Sequence, residues 1–268
     1  MCETVPMAIV LIAAVFYLLA ASLLVRELLA ERAVAPRLWL WPAAAAVGLH
    51  GGYHLRVAQM PGGADMHFFA ALSLVGLSMA ALAVFMGARA RMATLGVLVF
   101  PMAALFLLAY HGYGHAPSKV LGWQLATHAW LALLAYATLG IAALLAVMLW
   151  LQERALRQRD FRPWLRALPP LNDLETLLFR TIGAGFSLLT LTLVTGVLFV
   201  HDLLAQKVAH KTVLSVLSWI VFGILLIGRR RNGWRGIKAV HWTLAAMALL
   251  VLAFFGSMFV YEMVLKRG

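Results

Sequence analysis

Only one cysteine, Cys2, occurs in the 268 residues. That scarcity excludes an internal disulfide, a dithiol redox centre and any CxxC motif for covalent attachment of a c-type haem. Acidic residues are also few: Asp and Glu together number 10, and none stands mid-way along an apolar run. Ion-coupled transporters and proton pumps keep ionisable groups near the membrane centre. Their absence weighs against a coupled transporter and against a hard-metal site built from carboxylates. Serines and threonines stand singly in apolar segments, with no nucleophile–base pairing that would support hydrolysis. No catalytic constellation is legible, and an enzyme is not expected.

What is abundant is apolar surface. Hydrophobic residues make up 64% of the chain and charged ones 12%, with a mean hydropathy of +0.91. A soluble domain has no place to put that much oil. Runs of about 20 apolar residues, enough to cross a bilayer core as a helix, recur throughout. Because backbone groups in lipid must bond internally, these runs are expected to be helices. The sequence thus predicts an all-α, polytopic integral membrane bundle of about eight transmembrane helices, spanning 1–268 as a single transmembrane domain. The expected spans are 6–25, 38–56, 68–88, 92–110, 123–151, 177–200, 212–228 and 239–264. Polar or Pro/Gly breaks separate them: APR at 35–37, PGGAD at 61–65, HGYGHAPS at 111–118 and PP at 169–170. No residue-level repeat relates the two halves. The N-terminal MCETVPMAIV lacks Lys and Arg, so it has no basic region of a cleavable signal, and the first span is expected to be retained.

The formal net charge of +12 might suggest nucleic acid, but topology explains it more simply, and no nucleic-acid partner is expected. With both termini on the periplasmic side, sixteen of the 22 Lys and Arg fall in cytoplasmic connections or at their helix edges. Only Arg56, Lys119, Lys207, Lys211, Lys266 and Arg267 fall on the other face, a bias of the kind that orients membrane helices. The longest connection, QERALRQRDFRPWLRALPPLNDLE, is expected to touch anionic membrane lipid. In it Asn172, with Glu175 three residues on, has the spacing of a capping box for the next helix.

The histidines follow the opposite pattern. His50, His54, His67, His111, His115, His128, His201 and His210 lie in outer connections or at outer span ends, and only His241, an interfacial residue beside Trp242, lies inside. Imidazole serves proton shuttling or metal ligation, including haem iron. Haem suits such a rim: it is flat and largely apolar, and its propionates can meet nearby Arg or Lys. Two axial ligands must come from different segments, because an i, i+4 pair such as His50 and His54 projects from one helix face. His111 and His115, among Gly112, Gly114 and Pro117, read as solvated loop residues; His54, His67 and His201 stand no higher. His128, flanked by Trp123, Gln124 and Trp130, needs a partner if buried, either a ligand or a neighbouring helix. Trp and Tyr read as an interfacial belt, and Met as packing.

From the fifth span onward the sequence resembles the transmembrane cytochrome c assembly family, the CcsA/CcmC-type haem-handling proteins, and most of all the short eight-span YpjD/HemX-like branch. The stretches that carry the resemblance are THAWLALLAYATLGIAALLAVMLWLQERALR, LRALPPLNDLETLLFR, GFSLLTLTLVTGVLFVHDL, HKTVLSVLSWIVFGILLIGRRRNGWRG and FFGSMFVYEMVL. They occur in order over about 120–264, the family-like core, whereas the spans in 1–119 match in outline only. The resemblance implies a multi-pass protein of the bacterial inner membrane that holds or delivers non-covalent b-type haem, with other cytochrome c maturation proteins as partners. It also implies that His128 and His210, which match recurrent family histidines, are the axial ligands to the iron. His50 is the third ligand candidate, since it resembles a histidine common in this branch. Two departures stand out. Haem-delivering members carry a WWD motif before the seventh span, where this chain reads HDLLAQKVAHKTVLSVLSW with Trp219 alone. At the inner end of that helix, where the family often has a histidine, it reads GRRRNGWRG. Two alternatives follow: an accessory or regulatory subunit of another membrane system, such as an ion transporter, and a b-type electron-transfer protein.

Overall fold

The computed structural model describes residues 7–29, 37–60, 65–89, 94–113, 122–158, 170–199 and 209–256, with the side chains of 209 and 210 excepted. Every regular element among the described residues is helical. They are α1 (Met7–Leu29), α2 (Leu40–Ala58), α3 (Phe68–Arg89), α4 (Thr94–Tyr113), α5 (Trp123–Arg157), α6 (Leu171–Phe199), α7 (Ala209–Asn232) and α8 (Gly236–Val251). A single π-helical turn, Leu252–Gly256, follows α8. Each of the eight expected spans therefore contains a helix among the described residues, and 257–264 of the last expected span lie outside them.

Seven of the eight are long and apolar enough to cross a membrane. The exception is α2, LWPAAAAVGLHGGYHLRVA. Its 19 residues reach about 28 Å, nearly a bilayer core, but two histidines, an arginine and three glycines dilute its apolar character. At the other extreme, the 35 residues of α5 extend about 52 Å, so its basic end protrudes from any hydrocarbon layer.

The helices group into two compact units, α1–α4 and α5–α8. Within each, every helix packs on its sequence neighbours and the first packs on the last. The residue pairs give the directions. In the second unit, Leu139 meets Gly185 and His128 meets Thr195, Thr190 meets Trp219 and Glu175 meets Arg229, Ser218 meets Ala246 and Gly228 meets Trp234, and Tyr136 meets Leu250 while Glu153 meets Gly236, so neighbours run antiparallel. In the first unit, His50–Ser73, Phe69–Tyr113 and Tyr17–Phe100 give the same up-and-down circuit. Two bundles of identical topology thus share no visible sequence repeat. Apolar helices in lipid need only matching shapes, not matching residues, to close such a ring.

One local expectation is corrected. Asn172 and Glu175 do not form a capping box, because α6 begins at Leu171 and both residues lie inside it. The Pro170 carbonyl accepts from the N–H groups of Asp173 (2.9 Å) and Leu174 (3.0 Å), and opens the helix earlier. Asn172 Oδ1 and the Glu175 carboxylate instead accept from arginines. Arg229 Nη1 lies 2.9 Å from Glu175 Oε1, Arg235 Nε lies 3.1 Å from Oε2, and Arg235 Nη2 lies 3.2 Å from Asn172 Oδ1. This cluster ties the start of α6 to the α7–α8 turn. That turn is tight: Gly233 and Gly236 have φ of +63° and +54°, a region costly for side-chain-bearing residues.

Candidate functional site

The second unit has two chemically opposite ends. One end carries the arginine cluster just described. The other, formed by the first turns of α5 and α7 and the last turns of α6 and α8, holds a cavity of about 280 Å³. Its walls are mainly apolar, with Leu125, Leu189, Val197, Val216 and Leu250 among them. One imidazole, His128, and one ammonium, Lys211, also line it, with the hydroxyls of Tyr136, Thr192, Thr212 and Ser215.

His128 lies on α5 about 8 Å from the helix start and is half-buried. Its Nδ1 lies 3.2 Å from Thr195 Oγ1 on α6. Gly196 lets the ring approach α6 edge-on, since a Cβ there would stand 3.2 Å from His128 Cε1 and 3.7 Å from Nδ1. Lys211 Nζ sits 5.8 Å from the Phe254 ring centroid, so the ammonium is held beside the π-helical turn. His210 lies on the first turn of α7, immediately before Lys211; its side chain lies outside the described residues, as do His115 and His201 entirely.

His50 belongs to the first unit and is fully buried. Both of its ring nitrogens are engaged: Nδ1 lies 3.2 Å from Tyr17 Oη and Nε2 2.9 Å from Ser73 Oγ. Ser73 Oγ also lies 3.0 Å from His54 Nε2. The order of protons in this chain can be derived. Tyr17 is buried among Phe100 and His50, and a buried hydroxyl needs an acceptor, which among the described residues only His50 provides. Tyr17 therefore donates to Nδ1, His50 donates from Nε2–H to Ser73, and Ser73 donates to His54 Nε2.

The remaining described histidines of the first unit have partners as well. His111 Nδ1 lies 3.0 Å from Tyr53 Oη, and His111 lies on the last turn of α4, not in a solvated loop as its glycine neighbours suggested. His67 pairs through Nδ1 with the buried carboxylate of Asp65, whose other oxygen accepts from Tyr110 at 3.2 Å. His54 stacks on Tyr110 with ring centroids 5.0 Å apart. Despite this density, no group of three or more His, Cys, Asp or Glu among the described residues is arranged to hold a metal ion.

Sequence reasoning selected His128 but missed Thr195, Gly196 and Lys211. A signal was present in LTLVTGV: Thr192, Thr195 and Gly196 share one helix face at i, i+3 and i+4, the only small and polar stripe in an otherwise apolar run. Trp219, the lone tryptophan of the region where WWD was sought, is engaged within the bundle. Its Nε1–H donates to Thr190 Oγ1 at 2.9 Å and its ring stacks on Phe186 at 5.5 Å.

Comparison with known proteins places these observations in a lineage. The sequence pattern of the family described as cytochrome C assembly protein matches residues 42–265, beginning in α2 and so reaching well beyond the core at 120–264. The chain is 38% identical over 137 residues to the inner membrane protein YpjD of Escherichia coli (strain K12), covering 51% of this chain and 52% of that protein. It is 31% identical over 134 residues to protein HemX of Brevibacillus brevis, covering 49% of each. With the cytochrome c biogenesis protein CcsA of Chlamydomonas reinhardtii it shares 28% over 131 residues, 47% of this chain and 35% of that one. The chain thus spans about half the length of the curated relatives it matches first. No solved structure matches it.

Proposed function

The chain belongs to the cytochrome c assembly protein family, and from that premise we propose that it holds haem non-covalently at the cavity end of α5–α8. His128 and His210 are the axial ligands in this reading. The observation that carries it is a positioned imidazole set in an apolar wall beside a single ammonium, which suits a flat apolar macrocycle bearing carboxylates. His210 joins by position, since the residue after it already lines the cavity. We assign His50 to the buried hydrogen-bond chain of the first unit, because both its nitrogens are engaged there.

If bound here, haem would supply an iron that His128 and His210 would hold. The residues of this chain do the binding and orienting: His128 offers a ring nitrogen, Lys211 faces a carboxylate, and the leucine and valine walls exclude water. The arginine-rich end of the bundle faces the cytoplasm under the positive-inside rule. In this reading the cavity opens on the periplasmic side of the bacterial inner membrane, the membrane in which the Escherichia coli relative is named. Partners in this reading are membrane lipid, haem and other cytochrome c maturation proteins.

Purified protein in detergent, as isolated or after haem titration, tests the proposal. A Soret band is expected, and a His128→Ala, His210→Ala double variant of normal thermal stability is expected to lose it. A wild-type protein that stays colourless after titration refutes the proposal. That result favours the second reading, an accessory subunit, which is supported by the lone Trp219 of α7 being packed against Thr190 and Phe186 of α6.

A further inference from the structure

We propose that Thr195 is a positioning residue that holds His128 in its Nδ1–H tautomer, so that Nε2 carries the lone pair offered to the ligand; this rests on the haem reading above for the identity of that ligand. The argument is one of hydrogen counting. A threonine hydroxyl has one hydrogen to donate. Thr195 Oγ1 lies 2.9 Å from the Leu191 carbonyl and 3.0 Å from the Thr192 carbonyl of its own helix, the usual back-bonding of a threonine in a membrane helix. With its hydrogen given to a carbonyl, Oγ1 can only accept from the third neighbour, His128 Nδ1 at 3.2 Å. That acceptor demands a proton on the ring nitrogen that meets α6.

The site is built for this edge. Gly196 lies beside His128 Cε1 and Nδ1, so the Nδ1–Cε1 edge is the one pressed to α6. A hydrogen-bond acceptor and a missing Cβ on the consecutive positions 195 and 196 thus select both the tautomer and the standing of the ring. Ligating histidines commonly donate their second N–H to such a partner, which fixes the ring and raises the basicity of the coordinating nitrogen. Here the partner is a hydroxyl from the neighbouring helix, already committed by its own backbone.

The test begins on the haem-free protein, labelled with ¹⁵N-histidine in detergent, with His128 assigned through a His128→Gln variant. Wild type is expected to show a protonated Nδ1 and an unprotonated Nε2. Thr195→Val is expected to move the population toward Nε2–H, and Thr195→Ser to restore the wild-type pattern. On haem titration, Thr195→Val is expected to weaken affinity about 10–100-fold and to move the midpoint potential to a more positive value, with Thr195→Ser near wild type. A wild-type Nε2–H tautomer overturns the proposal, as does a Thr195→Val protein with unchanged tautomer. If Thr195→Val does not fold, the wild-type tautomer and the Thr195→Ser variant still decide the matter. Failure to bind haem at all, with the tautomers as expected, refutes the haem reading and leaves the role of Thr195 standing.

Discussion

Replacing Glu175 tests the clamp that joins the start of α6 to the α7–α8 turn. The carboxylate side chain is 2% exposed, and it accepts from Arg229 and Arg235, whose side chains are 30% and 58% exposed. Hydrogen bonds to charged groups contribute roughly 1.5–3 kcal/mol each, and removing one partner of a buried pair costs about 3–5 kcal/mol. The exposure of the two arginines reduces that figure, because both can turn to water once the carboxylate is gone. Arg229 also stays over the Phe179 ring, 4.6 Å from its centroid. Glu175→Ala is therefore expected to cost about 3 kcal/mol, and Glu175→Gln, which keeps an acceptor and the shape, about 1–2 kcal/mol. For a chain of this size the alanine variant corresponds to a fall in melting temperature of roughly 6–12 °C, followed by tryptophan fluorescence in detergent. Double-mutant cycles are expected to give a larger coupling of Glu175 with Arg229 than with the more exposed Arg235. An alanine variant melting within a degree of wild type refutes the assignment of the cluster as a clamp.

Three further outcomes follow from the geometry. Ser73→Ala removes the acceptor of a fully buried His50 N–H and is expected to cost about 1–3 kcal/mol, read as a lower melting temperature with haem binding retained. Gly196→Ala places a methyl 3.2 Å from His128 Cε1, tighter than ordinary contact, so haem titration is expected to show weakened affinity while the melting temperature changes little. Gly236→Ala combines a φ of +54° with a Cβ 3.0 Å from Glu153 Oε1. It is expected to destabilise by about 1–3 kcal/mol without altering the haem spectrum.

The amino-acid sequence by itself determined the helical membrane class and the position of all eight helices, because lipid leaves the backbone no partner but itself. It also marked His128, since an imidazole beside two tryptophans at a span end is unusual enough to read without a structure. It did not reveal that the helices close into two four-membered rings, because ring closure depends on side-chain shape at contacts such as Leu139 on Gly185. Nor did it reveal what each histidine meets. Tyr17 and Ser73 reach His50 across 33 and 23 residues of chain, and Thr195 reaches His128 across 67. A histidine's role is set by which of its two nitrogens keeps a lone pair, and that choice is made by neighbours that only helix packing brings within hydrogen-bond distance.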